Sequence, residues 1–246
     1  MSRDFTHQVI STIHKGGSLG HTCLSFSKTS PWHSCLGELF LGLRENTAVF
    51  QAYRQEKYVL QAFYILARIL HRGGHVLVVN THPDYSKCIE TVFLPLKNSQ
   101  QGNRVSYSST KWIGGTLTNW KQVSKSVLTF AKFSQRCEKF LEDSALEFPR
   151  YKKVKACFQG FLHTTSEKTS LCFREKPDLV VVLNPTDIPG VLHEAQRLHI
   201  PVIGFVESTT NLHGITYPLP VSRNCLDFVV YFLQKIVVLV QASERK

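Results

Sequence analysis

Short apolar runs, each closed by turn residues and followed by a stretch with helical spacing, are the strongest pattern along this chain. His75-Val76-Leu77-Val78-Val79-Asn80 holds four consecutive apolar residues. A run of that kind, with no polar alternation, predicts a strand buried on both faces, as in a parallel sheet. Leu179 to Leu183 and Pro201 to Val206 repeat it, and Val105-Ser106-Tyr107 is a shorter candidate. Helical periods lie between the runs. Residues 56–71 set Leu60, Phe63, Tyr64, Ala67 and Leu70 on one expected apolar face, with Gly73-Gly74 as the stop. Pro83-Asp84 opens a second helix, extending to about Leu94, and Pro189 opens another to about Leu198. Residues 116–148 predict a long helix. Residues 222–240 predict a last one, with Phe228, Phe232, Leu233, Ile236, Val237 and Val240 on its apolar side. Residues 5–14 fit a short helix, 15–35 and 208–221 read as loop, 38–53 fit neither period, and 149–176 read as irregular and basic.

Strand–helix–strand units built on continuous apolar strands imply a parallel sheet covered on both faces. The expected fold is therefore α/β: a doubly wound, Rossmann-like three-layer sandwich. Residues 1–120 and 177–246 together supply one α/β domain, and 121–176 a helical, basic insertion. With 246 residues, 43% of them hydrophobic, the chain can bury a real core. The most apolar stretch, Phe228 to Val240, is interrupted by Gln234 and Lys235 and is too short to span a bilayer, so no membrane partner is expected.

Charge changes the picture from fold to partner. The formal net charge is +11, which points to a polyanion. It is unevenly spread. Residues 1–120 carry 12 Lys/Arg against 6 Asp/Glu, and 121–176 carry 12 against 6 in less than half the length. Residues 177–246 carry 5 against 6, so the last third reads as scaffold. Cysteine points to a compartment. The seven cysteines are odd in number and form no Cys-x-x-Cys, which argues against a disulfide framework and for reducing surroundings. The first fifteen residues show neither the apolar core of a secretory signal nor the arginine richness of a mitochondrial presequence. Import is then unneeded, or the presequence is absent from this chain.

Several patterns tempt toward catalysis. Gly16-Gly17-Ser18-Leu19-Gly20 matches the G-x-S-x-G nucleophile elbow, but that elbow needs a buried strand before it, and Ser11-Thr12-Ile13-His14-Lys15 is not one. No G-x-G-x-x-G and no G-x-x-x-x-G-K-[ST] occurs; after Val76–Asn80 the turn is Thr81-His82-Pro83-Asp84, with no glycine to admit a pyrophosphate. His21/Cys23 and His33/Cys35 are spaced more tightly than paired zinc ligands usually are, and His71, His75 and His82 straddle a strand and are expected to point different ways. No catalytic residue, cofactor, metal or small-molecule substrate is expected.

Three blocks resemble the ribosomal protein S2 family, in its mitochondrial form. Lys111-Trp112-Ile113-Gly114-Gly115-Thr116-Leu117-Thr118-Asn119-Trp120 stands against a family pattern R-W-L-G-G-T-L-T-N-[FW]. Pro177-Asp178-Leu179-Val180-Val181-Val182-Leu183-Asn184-Pro185 is followed by Glu194-Ala195, Ile200-Pro201-Val202-Ile203 and Gly214-Ile215-Thr216-Tyr217-Pro218-Leu219-Pro220. Gly73-Gly74-His75-Val76-Leu77-Val78-Val79-Asn80-Thr81 is the third, and Gly20-His21 matches a G-H near the family's start. The blocks keep the family's order from about residue 9 to 241.

The resemblance implies a parallel α/β sandwich with a helical protrusion inserted after the W-x-G-G-T-L-T-N block. It also implies binding to small-subunit rRNA and to neighbouring ribosomal proteins, with no catalysis. The expected RNA contacts are His21, Lys28, Arg104, Lys111, Trp112, Lys121, Arg150, Lys152, Lys153 and Lys155. Trp112 either stacks on a base or fills core. Lys111 stands where the family has Arg, so a bidentate phosphate contact becomes a point charge. Glu207 replaces an Asp, Val221-Ser222-Arg223 replaces an Asn/Asp-rich helix start, and 121–176 lacks the Glu/Lys heptads of a coiled coil. Such drift points to an organelle ribosome, a mitochondrial one before a plastid or bacterial one. The competing expectations are a Rossmann-like or hydrolase-type enzyme and a free RNA-binding protein.

Overall fold

The computed structural model describes residues 11, 19–22, 34–44, 47–97, 104–144, 148–164, 169–172, 176–207, 210–221 and 225–243. In chain order the elements are β1 (Leu19–Thr22), α1 (Ser34–Gly37), β2 (Phe40–Arg44), β3 (Thr47–Phe50), α2 (Ala52–His71), β4 (Val76–Val79), α3 (Pro83–Lys97) and β5 (Val105–Ser108). Then come α4 (Trp120–Ser144), α5 (Pro149–Phe158), a 3-10 turn (Gln159–Phe161), β6 (Leu162–Thr164), β7 (Thr169–Leu171) and β8 (Leu179–Val182). After a second 3-10 turn (Pro185–Asp187), α6 (Pro189–Arg197), β9 (Val202–Val206), β10 (Tyr217–Pro220) and α7 (Leu226–Ser243) complete the fold.

The apolar runs become neighbouring strands of a five-stranded sheet in the order β10-β9-β8-β4-β5, parallel throughout. Val76 lies between Val105 and Leu179, and Val79 between Ser108 and Val182. Because side chains alternate along a strand, each run feeds two cores. Val76, Val78, Leu179, Val181, Ile203 and Phe205 face α2, α3 and α7. Leu77, Val79, Val180, Val182 and Val202 face the other way, toward α6, Trp120 and Val127 of α4, Phe161 and Cys172. Burying one such aliphatic side chain contributes about 1.5–3 kcal/mol. β1, β3 and β2 form a separate antiparallel sheet, whose Phe50 packs on Val206 together with Leu36 and Leu39 beside it.

The α/β, three-layer expectation is met, with four differences of detail. First, α2 begins earlier and turns a different face to the core. Val59, Ala62, Phe63, Leu66 and Leu70 are buried, whereas Leu60 and Ala67 are half-buried and Tyr64 is 57% exposed. Two overlapping apolar stripes both satisfy helical spacing in this segment, and packing against α7 selects between them. Second, the stretch read as loop at 208–221 contains β10. Two prolines hide it: Pro218 and Pro220 are tolerated because β10 is an edge strand, paired only with β9. Third, 149–176 is not irregular. It holds α5, a 3-10 turn and the β6–β7 hairpin. Fourth, α7 ends at Ser243, three residues beyond the expected Val240. Its 18 residues would suffice by length and composition to cross a membrane, but Phe228, Val229, Phe232, Leu233, Ile236, Val237 and Val240 are buried in the core. The expected 5–14 helix, apart from residue 11, lies outside the described residues, as do Ser18, Cys23, Lys28 and His33.

The 3-10 turn docks the insertion against the sheet through one close approach. A Cβ on Gly160 would stand 1.9 Å from the backbone oxygen of Tyr107 in β5. Gly160→Ala must push the turn off the strand, and overpacking of this kind costs about 1–3 kcal/mol. A fall in melting temperature of roughly 2–12 °C is expected for a chain of this size. Unchanged thermal unfolding of Gly160→Ala would contradict the close packing.

Candidate nucleic-acid interface

The loop from 109 to 119, between β5 and α4, carries the densest motif and is shaped by one carboxylate. Gly115 adopts φ +84, a conformation that favours glycine, and so turns successive N–H groups inward. Glu194, on α6, sits under them. Its Oε1 accepts from Gly115 N at 2.8 Å and from the Trp112 indole Nε1 at 3.1 Å. Its Oε2 accepts from Leu117 N at 2.9 Å and from Thr118 N at 3.3 Å. Thr116 Oγ1 closes the turn on the Ile113 carbonyl. Glu194 thus plays the part that a bound anion plays in a backbone nest. Gly115 of the motif serves this internal anchoring.

Trp112 is therefore half-buried, packed against the core beneath α6 and hydrogen-bonded at its edge. Of its two expected roles, the structure favours the core-filling one. Lys111, next to it, is exposed. The loop is pinned to β5 by Ser108 Oγ, which donates to the Lys111 carbonyl. Thr110 Oγ1 lies 3.9 Å from Cys157 Sγ of α5, which brings Lys111 beside the insertion.

In the insertion, α4 and α5 hold together through rings. Phe130 lies 5.6 Å from Tyr151 and 5.5 Å from Phe158, centroid to centroid, and Phe133 lies 6.4 Å from Tyr151. Ser134 and Tyr151 share a hydrogen bond between their hydroxyls. No α5 residue is fully buried, and its attachment rests on this aromatic contact together with Phe158 packed against the core. The outer surface is cationic: Lys121 on α4 and Arg150, Lys152, Lys153 and Lys155 on α5 are all exposed. The candidates of the insertion and the motif loop thus gather on one side of the sheet.

The remaining candidates do not join them. Arg104 is half-buried, and its Nη1 donates to the Leu70 carbonyl and to Ser243 Oγ, tying the ends of α2 and α7 together. His21 falls in β1, in the separate small sheet, and Lys28 lies outside the described residues. The sequence reading also missed three cations. Lys125, Lys132 and Arg136 are exposed on α4, and at 3.6 residues per turn they share an arc of about 60° with Lys121. Helical spacing, applied to charge as well as to apolar residues, would have found them.

The crevice at the carboxyl ends of the strands is where cofactors bind in many α/β sheets, at the point where strand order reverses. Here that point lies between β4 and β8. Asn80 fills its β4 side: Nδ2 donates to the carbonyls of His82 and Ser109, and Oδ1 accepts from His82 N. Among the described residues, no group of three or more His, Cys, Asp and Glu side chains could hold a metal ion. Of the three histidines flanking β4, His71 is exposed, His75 is buried and His82 lies 3.6 Å from Asp84, so they do point different ways.

Residues 18–242 match the profile of the family described as Ribosomal protein S2. The small ribosomal subunit protein uS2m of Marchantia polymorpha is 32% identical over 229 residues, covering 84% of this chain and 90% of that protein. The small ribosomal subunit protein uS2 of Beijerinckia indica is 26% identical over 211 residues, covering 85% of this chain and 57% of that protein. That of Bartonella tribocorum is 26% identical over 226 residues, covering 88% and 74%. The chain thus spans little more than half the length of the Beijerinckia relative.

Proposed function

Because the chain belongs to the ribosomal protein S2 family, we propose that it is a structural constituent of the small ribosomal subunit of an organelle. In this reading it contacts small-subunit rRNA and neighbouring ribosomal proteins and catalyses no reaction. The observation that carries the reading is the motif block Lys111–Trp120, present in family order and held rigid by Glu194 beside a cationic insertion. A mitochondrial ribosome is favoured because the Marchantia relative, named uS2m, is matched over 90% of its length at 32% identity.

Lys111, Lys121, Arg150, Lys152, Lys153 and Lys155 are the proposed phosphate contacts. Phosphate binding releases counterions, so log affinity should fall linearly with log salt, with a slope of about −0.7 to −0.9 per phosphate neutralised. The quadruple replacement of Arg150, Lys152, Lys153 and Lys155 by Ala should weaken binding to small-subunit rRNA and make that slope shallower by roughly 3–4. Filter binding across a salt series measures both. The wider reading is tested by sedimentation. The chain should travel with mitochondrial small subunits through a moderate-salt gradient, and recovery only in ribosome-free fractions would overturn it.

A further inference from the structure

The unexpected rotation of α2 leaves a face that the insertion's RNA surface does not explain. Tyr53 is 86% exposed and Tyr64 57%, and Lys57, Arg68 and His71 are exposed as well. At 3.6 residues per turn, Tyr53, Lys57, Tyr64, Arg68 and His71 fall within an arc of about 60°. The stripe runs roughly 27 Å along the helix, at 1.5 Å per residue. Aromatic and basic residues alternate along it, and it carries no acidic residue. The lone acid of α2, Glu56, lies about 60° to one side of Tyr53, and with Glu38 it lines a groove that Tyr53, Arg54 and Lys57 line as well, so acid meets the stripe at its N-terminal edge. Helix α2 packs with α7 on the sheet face opposite α4 and Trp120, so this stripe does not extend the insertion's cationic surface.

We propose that the outer face of α2 binds an unpaired stretch of RNA, with Tyr53 and Tyr64 stacking on bases and Lys57 and Arg68 contacting phosphates. Charge complementarity selects this occupant. Helix α2 carries Arg54, Lys57 and Arg68 against Glu56 alone, a cationic surplus that asks for a polyanion, and exposed rings between cations meet the needs of splayed bases. A duplex offers no base faces, so the rings discriminate for single strands. The proposal takes its partner class from the ribosomal reading but uses none of the residues on which that reading rests.

The test uses the full chain with a short single-stranded RNA and a duplex of the same composition. Tyr53→Leu and Tyr64→Leu should each weaken single-strand binding about tenfold, since base stacking on an aromatic side chain contributes on that order. Tyr53→Phe and Tyr64→Phe keep the ring and should bind as the unaltered chain does. Duplex binding should be little changed by either pair. These side chains are exposed, so matching circular dichroism melts will confirm that the variants fold. In isolated small subunits, ultraviolet crosslinking should join Tyr53 or Tyr64 to rRNA. The proposal is overturned if the doubly Leu-substituted chain binds single strands undiminished, or if crosslinks at these tyrosines lead only to protein. Either result with normal co-sedimentation leaves the ribosomal reading standing; loss of co-sedimentation by the unaltered chain defeats that reading instead.

Discussion

Glu194→Ala is expected to destabilise the fold by about 3 kcal/mol and to loosen the 109–119 loop. The carboxylate accepts from Trp112 Nε1 and from the backbone N–H groups of Gly115, Leu117 and Thr118. A hydrogen bond to a charged group contributes about 1.5–3 kcal/mol net. The four bonds share one carboxylate and do not add. Water can also reach part of a half-buried site, so the expected loss is well below their sum. For a chain of this size, that loss lowers the melting temperature by roughly 6–12 °C. Glu194→Gln keeps one acceptor oxygen but turns an NH2 toward two donors, so a loss of about half is expected. Hydrogen exchange at the amides of Gly115, Leu117 and Thr118 should quicken in both variants, and the indole of Trp112 should become more mobile. If both variants melt with the unaltered chain and exchange at its rate, Glu194 is not what shapes the loop. A functional consequence follows on the proposed reading. Lys111 is placed by this loop, so rRNA affinity should drop in Glu194→Ala even though no phosphate contact has been removed.

Much of this was legible in the sequence, for a physical reason. Strands buried on both faces need unbroken apolar runs, and the runs at 76–79, 179–182 and 202–206 announce themselves. β10 did not, because at an edge a strand can carry Pro218 and Pro220, the residues that elsewhere argue against a strand. On α2 the residue types were right and the phase was wrong. Spacing admits Leu60, Tyr64 and Ala67 as readily as Val59, Ala62 and Leu66, and the contact with α7 that decides is not local. α5 was missed because its residues bury nothing fully; part of its attachment comes from rings on α4, about twenty residues away.

The site divides along the same line. Lys111 and the α5 cations could be found by charge density, a local property. The anchoring role of Glu194 could not, since it stands 76 or more residues from every group it holds. Its place in the family-like Glu194-Ala195 pair was visible, but a motif alone does not say which atoms it serves. Arg104 has a structural part that its charge does not reveal. A basic residue near a candidate strand reads as an RNA contact, yet one of its nitrogens ties together two helix ends far apart in sequence.

His75 supplies the second large effect, and it concerns pH. This histidine immediately precedes β4 and is buried, with its backbone N–H donating to Asp178 Oδ2 at 2.8 Å. Burial pushes its pKa from 6.5 down to about 3. Between those values the unfolded chain holds a proton on His75 that the folded chain does not. Unfolding therefore takes up a proton there, and stability falls as pH drops below 6.5, levelling only near 3. The greatest slope from one group is about 1.4 kcal/mol per pH unit, so roughly 2 kcal/mol is lost by pH 5. A melting temperature lower by roughly 4–8 °C at pH 5 than at pH 7 is expected from this residue alone. Paired carboxylates lose stability over a more acidic range, so the window from pH 6.5 to 5 belongs to histidines, and substitution singles out His75 among the eleven. His75→Gln carries no titrating group and should flatten the profile across that window, whatever its melting temperature at pH 7. A variant that keeps the original slope would place the proton elsewhere and remove His75 as the cause.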